Sequence, residues 1–160
     1  MSDVVRAAIA AELAQLEQIV RTPTEPLRYG VDLKCRDDLT PRLDTLSSDS
    51  VEGIGQALYH RLTTRRTTLP DDPDYGLDVR RYLSMPTDAL ALRRAAGEIA
   101  SECGKDDRVA NVDVAVTAPS RSELRVEIVV EPADPELQTF ELVITVTDGT
   151  TLLEAISGQQ

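Results

Sequence analysis

Tryptophan is absent from this chain, phenylalanine and histidine occur once each, and cysteine occurs only twice. With four tyrosines as the only other aromatics, the core must be built from Leu, Val, Ile and Ala. The single histidine, His60, stands beside Leu58 and Leu62 with no local support for a Ser-His-Asp or Cys-His arrangement. Cys35 and Cys103 are far apart and have no metal-ligand spacing to each other or to His60, which argues against zinc. Two isolated thiols read as reduced, and a reduced cytoplasmic compartment is expected. No phosphate-cradling glycine motif occurs. No apolar run approaches the roughly 20 residues that span a bilayer. Met1-Ser2-Asp3 enters an amphipathic pattern directly, so no signal peptide is expected.

Positive charge is also in deficit, and the formal net charge is -11. Phosphate backbones and anionic membrane surfaces both attract Lys and Arg clusters, so neither nucleic acid nor membrane is an expected partner. What remains is a soluble acidic chain of one-domain length, with room for an extension.

Val5, Ile9, Leu13, Leu16 and Val20 recur every three or four residues, the stripe of an amphipathic helix. Pro23 and Pro26 stop it. Residues 1–27 therefore read as a helical arm and linker, which either docks on a partner or packs back on its own domain. Leu27 to Leu46 reads as loop with short elements. A second helix is expected to start near Ser48 or Asp49, with Glu52 completing a capping box. Its buried face is Val51, Ile54, Leu58 and Leu62, and Gly53 and Gly55 mark close approach of another element. A polar connection runs from Thr63 to Asp78. Pro86-Thr87-Asp88 then opens a third helix, whose apolar face is Leu92, Ala95, Ala96, Ile99 and Cys103 and whose stop is Gly104.

From there the period changes to two. Val112, Val114 and Val116 form one inward set; Leu124, Val126, Ile128 and Val130 a second; Phe140, Leu142, Ile144 and Val146 a third. Turn residues around Pro119 and Pro132 separate the runs, so neighbours should pair as antiparallel hairpins. The fold class is α+β: helices followed by a three-stranded or larger antiparallel meander, with an N-terminal helical arm. Three strands leave two edges, and the run Leu137, Thr139, Phe140, Glu141, Leu142, Val143, Ile144, Thr145 and Val146 carries few charges. It is the candidate for strand addition by a partner chain.

Carboxylates are abundant, and glycoside hydrolysis needs a pair of them. The densest group, Asp71, Asp72, Asp74 and Asp78, flanks prolines and a glycine, where aspartates serve turns and caps. Neither a catalytic pair nor a calcium loop is expected there. Tyr29-Gly30-Val31-Asp32-Leu33 is echoed by Tyr75-Gly76-Leu77-Asp78-Val79 without matching flanks. Both glycines should sit where the backbone needs freedom, with each aspartate bonding nearby main chain.

The stretch from Gln56 to Val79, QALYHRLTTRRTTLPDDPDYGLDV, resembles the baseplate wedge subunit of T-even-like contractile phages. It is similar as well to the counterparts in contractile injection systems and type VI secretion. In that family a Pro-Asp-Tyr/Phe-Gly-x-Asp-Leu signature follows a helix and a polar loop; here Pro73, Asp74, Tyr75, Gly76, Asp78 and Val79 match it. A Glu-Pro-Arg motif follows the family's third helix, and Asp106, Asp107 and Arg108 stand in its place. Thr67 stands where relatives often carry glycine after the basic pair. The similarity covers about residues 28 to 148, the wedge domain, leaving 149–160 as a C-terminal tail.

The resemblance implies a non-enzymatic subunit of the inner baseplate, without cofactors, assembled in the bacterial cytoplasm and present in six copies around the tail axis. Its implied partners are the baseplate wedge proteins and the sheath protein, whose first ring it templates by sharing β-strands. The family's lysozyme-like label finds no support in these residues. Two other readings are a soluble binding module, similar to bacterial anti-adaptor proteins, and a muramidase.

Overall fold

The computed structural model describes residues 29–35 and 43–158. The chain divides into two units, Met1–Gly30 and Val31–Gln160. The expected helical arm, with Val5, Ile9, Leu13, Leu16 and Val20, lies outside the described residues.

Two short strands, β1 (Val31–Leu33) and β2 (Thr45–Ser47), pair antiparallel within the expected loop region. Helix α1 (Val51–Thr63) follows, then a 3-10 turn (Val79–Ser84) and helix α2 (Ala89–Cys103). Four strands complete the chain: β3 (Val109–Ser120), β4 (Glu123–Pro132), β5 (Phe140–Thr147) and β6 (Thr151–Gly158). They form one antiparallel sheet in the order β3-β4-β5-β6. The class is α+β, as the change of hydrophobic period indicates.

The N-cap of α1 is Ser50, next to the expected Ser48 or Asp49. Its hydroxyl accepts from the Gly53 N–H at 3.0 Å and donates to the Ser47 carbonyl at 2.7 Å. Glu52 completes no capping box and instead pairs with Lys34 at 2.7 Å. Helix α2 begins as expected at Asp88, whose carboxylate accepts from Leu90 and Ala91 N–H, both at 2.9 Å.

Ile54, Leu58 and Leu62 of α1 meet Ile99 and Cys103 of α2 over the inner face of the sheet. That face is made of Leu124, Val126, Ile128 and Val130 from β4 and Phe140, Leu142, Ile144 and Val146 from β5, all buried. Each such aliphatic side chain contributes about 1.5–3 kcal/mol through burial. Val79 and Tyr82 of the 3-10 turn fill the remaining edge of this cluster.

The sheet corrects two expectations. The segment expected as a tail holds a strand: Thr151–Gly158 pairs with β5 from Val146↔Thr151 to Phe140↔Gly158. Consequently Phe140 to Val146 is no edge. It is bonded to β4 on one side and β6 on the other, and Val143 and Thr145 are buried even on the face turned from the helices. Leu137 and Thr139 precede β5, and the Leu137 N–H closes a turn on the Asp134 carbonyl at 3.1 Å.

Helix α1 seats β6 at two points. A Cβ placed on Gly55 would lie 2.7 Å from Ile156 Cδ1, so the glycine lets that side chain reach the helix backbone. The Tyr59 hydroxyl donates to the Thr151 carbonyl at 2.8 Å. The expected close approach at Gly55 is thus to the strand that periodicity missed.

Candidate functional site

The signature loop gathers around one carboxylate. Helix α1 is capped by Thr64, whose N–H and hydroxyl both donate to the His60 carbonyl. The chain then loops out and returns, with the Thr67 N–H on the Pro73 carbonyl at 3.0 Å and the Tyr75 N–H on Asp72 at 3.2 Å. Gly76 turns it inward with φ of 98°, and the Leu77 N–H closes the loop on the Arg61 carbonyl at 2.9 Å.

At the turn stands Glu102, from the last turn of α2 and only 1% exposed. Its Oε1 accepts from Arg61 Nη1 at 3.1 Å and from the Gly76 N–H at 3.1 Å. Oε2 accepts from Arg66 Nη2 at 2.9 Å and Lys105 Nζ at 2.8 Å. Arg66 also donates through Nε to the Gly76 carbonyl at 3.0 Å. The Arg61 guanidinium lies 4.4 Å over the Tyr75 ring, a cation–π contact. Burial alone would raise the Glu102 pKa, but Lys105, Arg66, Arg61 and the Gly76 N–H outweigh it and hold the value at about 2.

The second motif forms a separate clamp. Arg108 grips Asp106 through Nε–H···Oδ1 at 2.8 Å and Nη2–H···Oδ2 at 2.6 Å, and Nη1 donates to the Ser48 carbonyl at 2.8 Å. Burial pushes the Asp106 pKa up, and the Arg108 pairing more than reverses this, leaving it lowered. Acid and arginine thus join the exit of α2 to the entry of α1. Asp107 between them is exposed.

The other signature residues take simpler positions. Pro73 and Asp74 are exposed, and the Asp74 carbonyl accepts from Lys105 Nζ at 3.4 Å. Asp78 caps the 3-10 turn through the Arg80 N–H at 3.2 Å and pairs with the Arg80 guanidinium at 2.7 Å. The echoed segments behave alike: Gly30 has φ of 76°, and Asp32 accepts from the Leu33 N–H at 2.8 Å.

Sequence reasoning named the signature but missed Glu102 and its hold on Arg61, Arg66 and Lys105. One signal was available. Glu102 follows Ile99 by three and adjoins Cys103, so it interrupts the apolar face of α2 with a charge that burial requires to be paired.

Chemically, the hub is an anchor. A carboxylate held ionised by four donors is a poor proton donor near neutral pH. Asp71, Asp72 and Asp74 are exposed on the loop. Burial raises the Cys103 thiol to about 12, with Glu102 adding to the effect, which suppresses the nucleophilic thiolate. Among the described residues no three His, Cys, Asp or Glu side chains converge as a metal site, and no helix is long and apolar enough to cross a membrane.

Thr67 holds a left-handed conformation, with φ of 66°, at the position the resemblance assigns to glycine. A β-branched residue there carries strain that glycine lacks. Thr67→Gly is expected to raise stability by about 0.5–1 kcal/mol, the relief exceeding the added freedom of the unfolded chain. Urea denaturation of both forms measures it, and an unchanged midpoint would mean that the strain relieved only equals the added freedom of the unfolded chain.

The sheet presents two edges, β3 and β6, each with one neighbour among the described residues. Strand β6 carries a single charged residue, Glu154, and exposes Leu152 at 47%.

The chain matches no protein-family model and no curated protein.

Proposed function

We propose that this chain is a structural, non-enzymatic baseplate wedge subunit of a contractile tail or injection machine, sharing β-strands with sheath subunits. The observation that carries the reading is the seated edge. Strand β6 is fixed on α1 through Ile156 at Gly55 and Tyr59 at Thr151, while its other side has no neighbouring strand among the described residues. An ordered edge of this kind presents main-chain donors and acceptors in fixed register to an arriving strand.

The signature Pro73-Asp74-Tyr75-Gly76-x-Asp78 supports the same reading, because its glycine and tyrosine serve the Glu102 anchor that stiffens the domain. A subunit that templates a ring transmits register, and register needs a rigid platform rather than a reactive centre. The strand-sharing role expected of Leu137 to Val146 passes to Thr151–Gly158, since β5 already uses both of its sides.

The test is co-purification of the full chain with candidate sheath and wedge proteins from its gene neighbourhood. A second form ends at Gly149, removing β6, with circular dichroism to establish that it folds. Sheath binding by the full chain that is lost in the folded truncation is the expected result. Failure of the full chain to hold either class of protein would move the soluble, anti-adaptor-like binding module ahead.

A further inference from the structure

Although the chain carries a net charge of -11, its arginines are not evenly spread. Beside the signature loop lies a groove of about 540 Å³ lined by Arg66, Arg81, Arg94, Gly97, Glu98 and Ser101. A second hollow of about 480 Å³, lined by Arg65, Arg66, Asp78, Arg80 and Arg81, shares its Arg66–Arg81 wall. No residue of the sheet lines either one.

Three of these five arginines are committed. Arg66 binds Glu102, Arg80 binds Asp78, and Arg81 binds Glu98. Arg65 and Arg94 have no ion-pair partner among the described residues, and both are exposed. Of the two uncommitted guanidinium groups, Arg94 lines the first groove and Arg65 the second hollow, and the wall between them carries cations that are locked in place.

Gly97 is an independent mark of the first groove. It sits mid-helix in α2, where glycine weakens a helix relative to alanine, yet a Cβ there would meet nothing within 4 Å. The glycine leaves that stretch of the groove wall without a side chain.

We propose that the groove and its adjoining hollow together bind an acidic peptide segment of a protein partner, its carboxylates taken by Arg94 in the first and Arg65 in the second and its main chain passing over Gly97. Guanidinium forks match carboxylates in geometry as well as charge. A protein segment fits better than nucleic acid because exposed Asp71, Asp72 and Asp74 follow Arg65 and Arg66 on the same loop. Those acids would repel a long polyanion while leaving a short acidic run its two arginines. The inference stands apart from the β6 edge, and a chain lacking β6 function could still fill the groove.

The test uses the full chain and a fluorescein-labelled glutamate-rich peptide, followed by anisotropy at low and physiological salt, with single-stranded DNA of matched length alongside. Arg65→Glu and Arg94→Glu are each expected to weaken peptide binding about tenfold, without a fall in melting temperature. Gly97→Gln should obstruct the groove and weaken binding similarly while the melting temperature holds or rises, so that loss cannot be ascribed to unfolding. Absence of peptide binding at low salt, or binding indifferent to all three substitutions, overturns the proposal. So does tighter binding of the DNA through the same arginines, which would make the groove a general polyanion site.

Discussion

Replacing Glu102 with alanine is expected to cost the fold about 3–5 kcal/mol, the range found when one member of a buried ionic group is removed. The loss is not that of one interaction. Arg61, whose side chain is 14% exposed, would be left charged and largely desolvated. The Gly76 N–H would lose its acceptor inside a turn too tight to admit a substitute. Arg66 and Lys105, half open to water, would recover part of their share by solvation. Arg61→Met in the Glu102→Ala background should restore part of the stability, because it removes the charge that the first change strands. Urea denaturation of the single and double variants measures both terms.

The same residue sets an acid limit. Its folded pKa of about 2 lies below the value of about 4.3 for an unfolded glutamate. The unfolded chain therefore takes up the proton first as pH falls. The stabilisation is complete above about pH 5 and is lost as pH drops toward 2. At about 1.4 kcal/mol for each unit of difference, this one group contributes about 3 kcal/mol of acid lability. Asp78 and Asp106, both lowered by their arginines, slope the same way. In Glu102→Gln the stability curve between pH 5 and 2 should flatten, leaving only the shallower slope of the aspartates. An unaltered slope would mean that Glu102 is not held ionised.

How far these features were legible in the sequence depends on how local their causes are. The two described helices and three strands follow from periods of 3.6 and 2; the inner faces of β4 and β5 are buried, while Val112, Val114 and Val116 of β3 and Val51 and Leu92 of the helices are half-buried against the same core. Strand β6 escaped because its period is broken. Leu153 and Ile156 both face the helices, three residues apart, with a bulge between the pairs Val143↔Ala155 and Ile144↔Leu153. Thr145 and Arg125 hold the extra residue, Glu154, through its carboxylate, a contact across three strands that no local pattern encodes. Once β6 is missed, β5 reads as an edge. The Glu102 hub was half legible: the signature marked Gly76 and Tyr75 as special, but the acceptor of the Gly76 N–H lies 26 residues further on, and Tyr75 meets the hub only through Arg61. The clamp between Asp106 and Arg108 shows the opposite case. Its pairing is local, while its grip on Ser48, 60 residues away, is not.

Gly76→Ala is expected to destabilise the chain by about 3 kcal/mol or more, and the reason is that nothing near it can yield. With φ of 98° the backbone lies where an L side chain costs about 1–3 kcal/mol on its own. The new Cβ would stand 2.4 Å from the Thr64 carbonyl oxygen. That carbonyl belongs to a residue fixed by its N–H and hydroxyl on His60, at 3.0 and 2.7 Å, so the helix end cannot retreat. The loop must retreat instead, and it does so at the expense of the Gly76 N–H on Glu102 and the Leu77 N–H on Arg61. A bond to a charged acceptor contributes about 1.5–3 kcal/mol and a neutral one about 1 kcal/mol. Because one of these bonds ends on Glu102, the effects of Gly76→Ala and Glu102→Gln should fall short of additivity by about 1 kcal/mol in the double variant. Full additivity by urea denaturation would place Gly76 outside the hub. A cost under about 1 kcal/mol would mean that the loop has a second conformation that keeps its bonds and accepts a side chain.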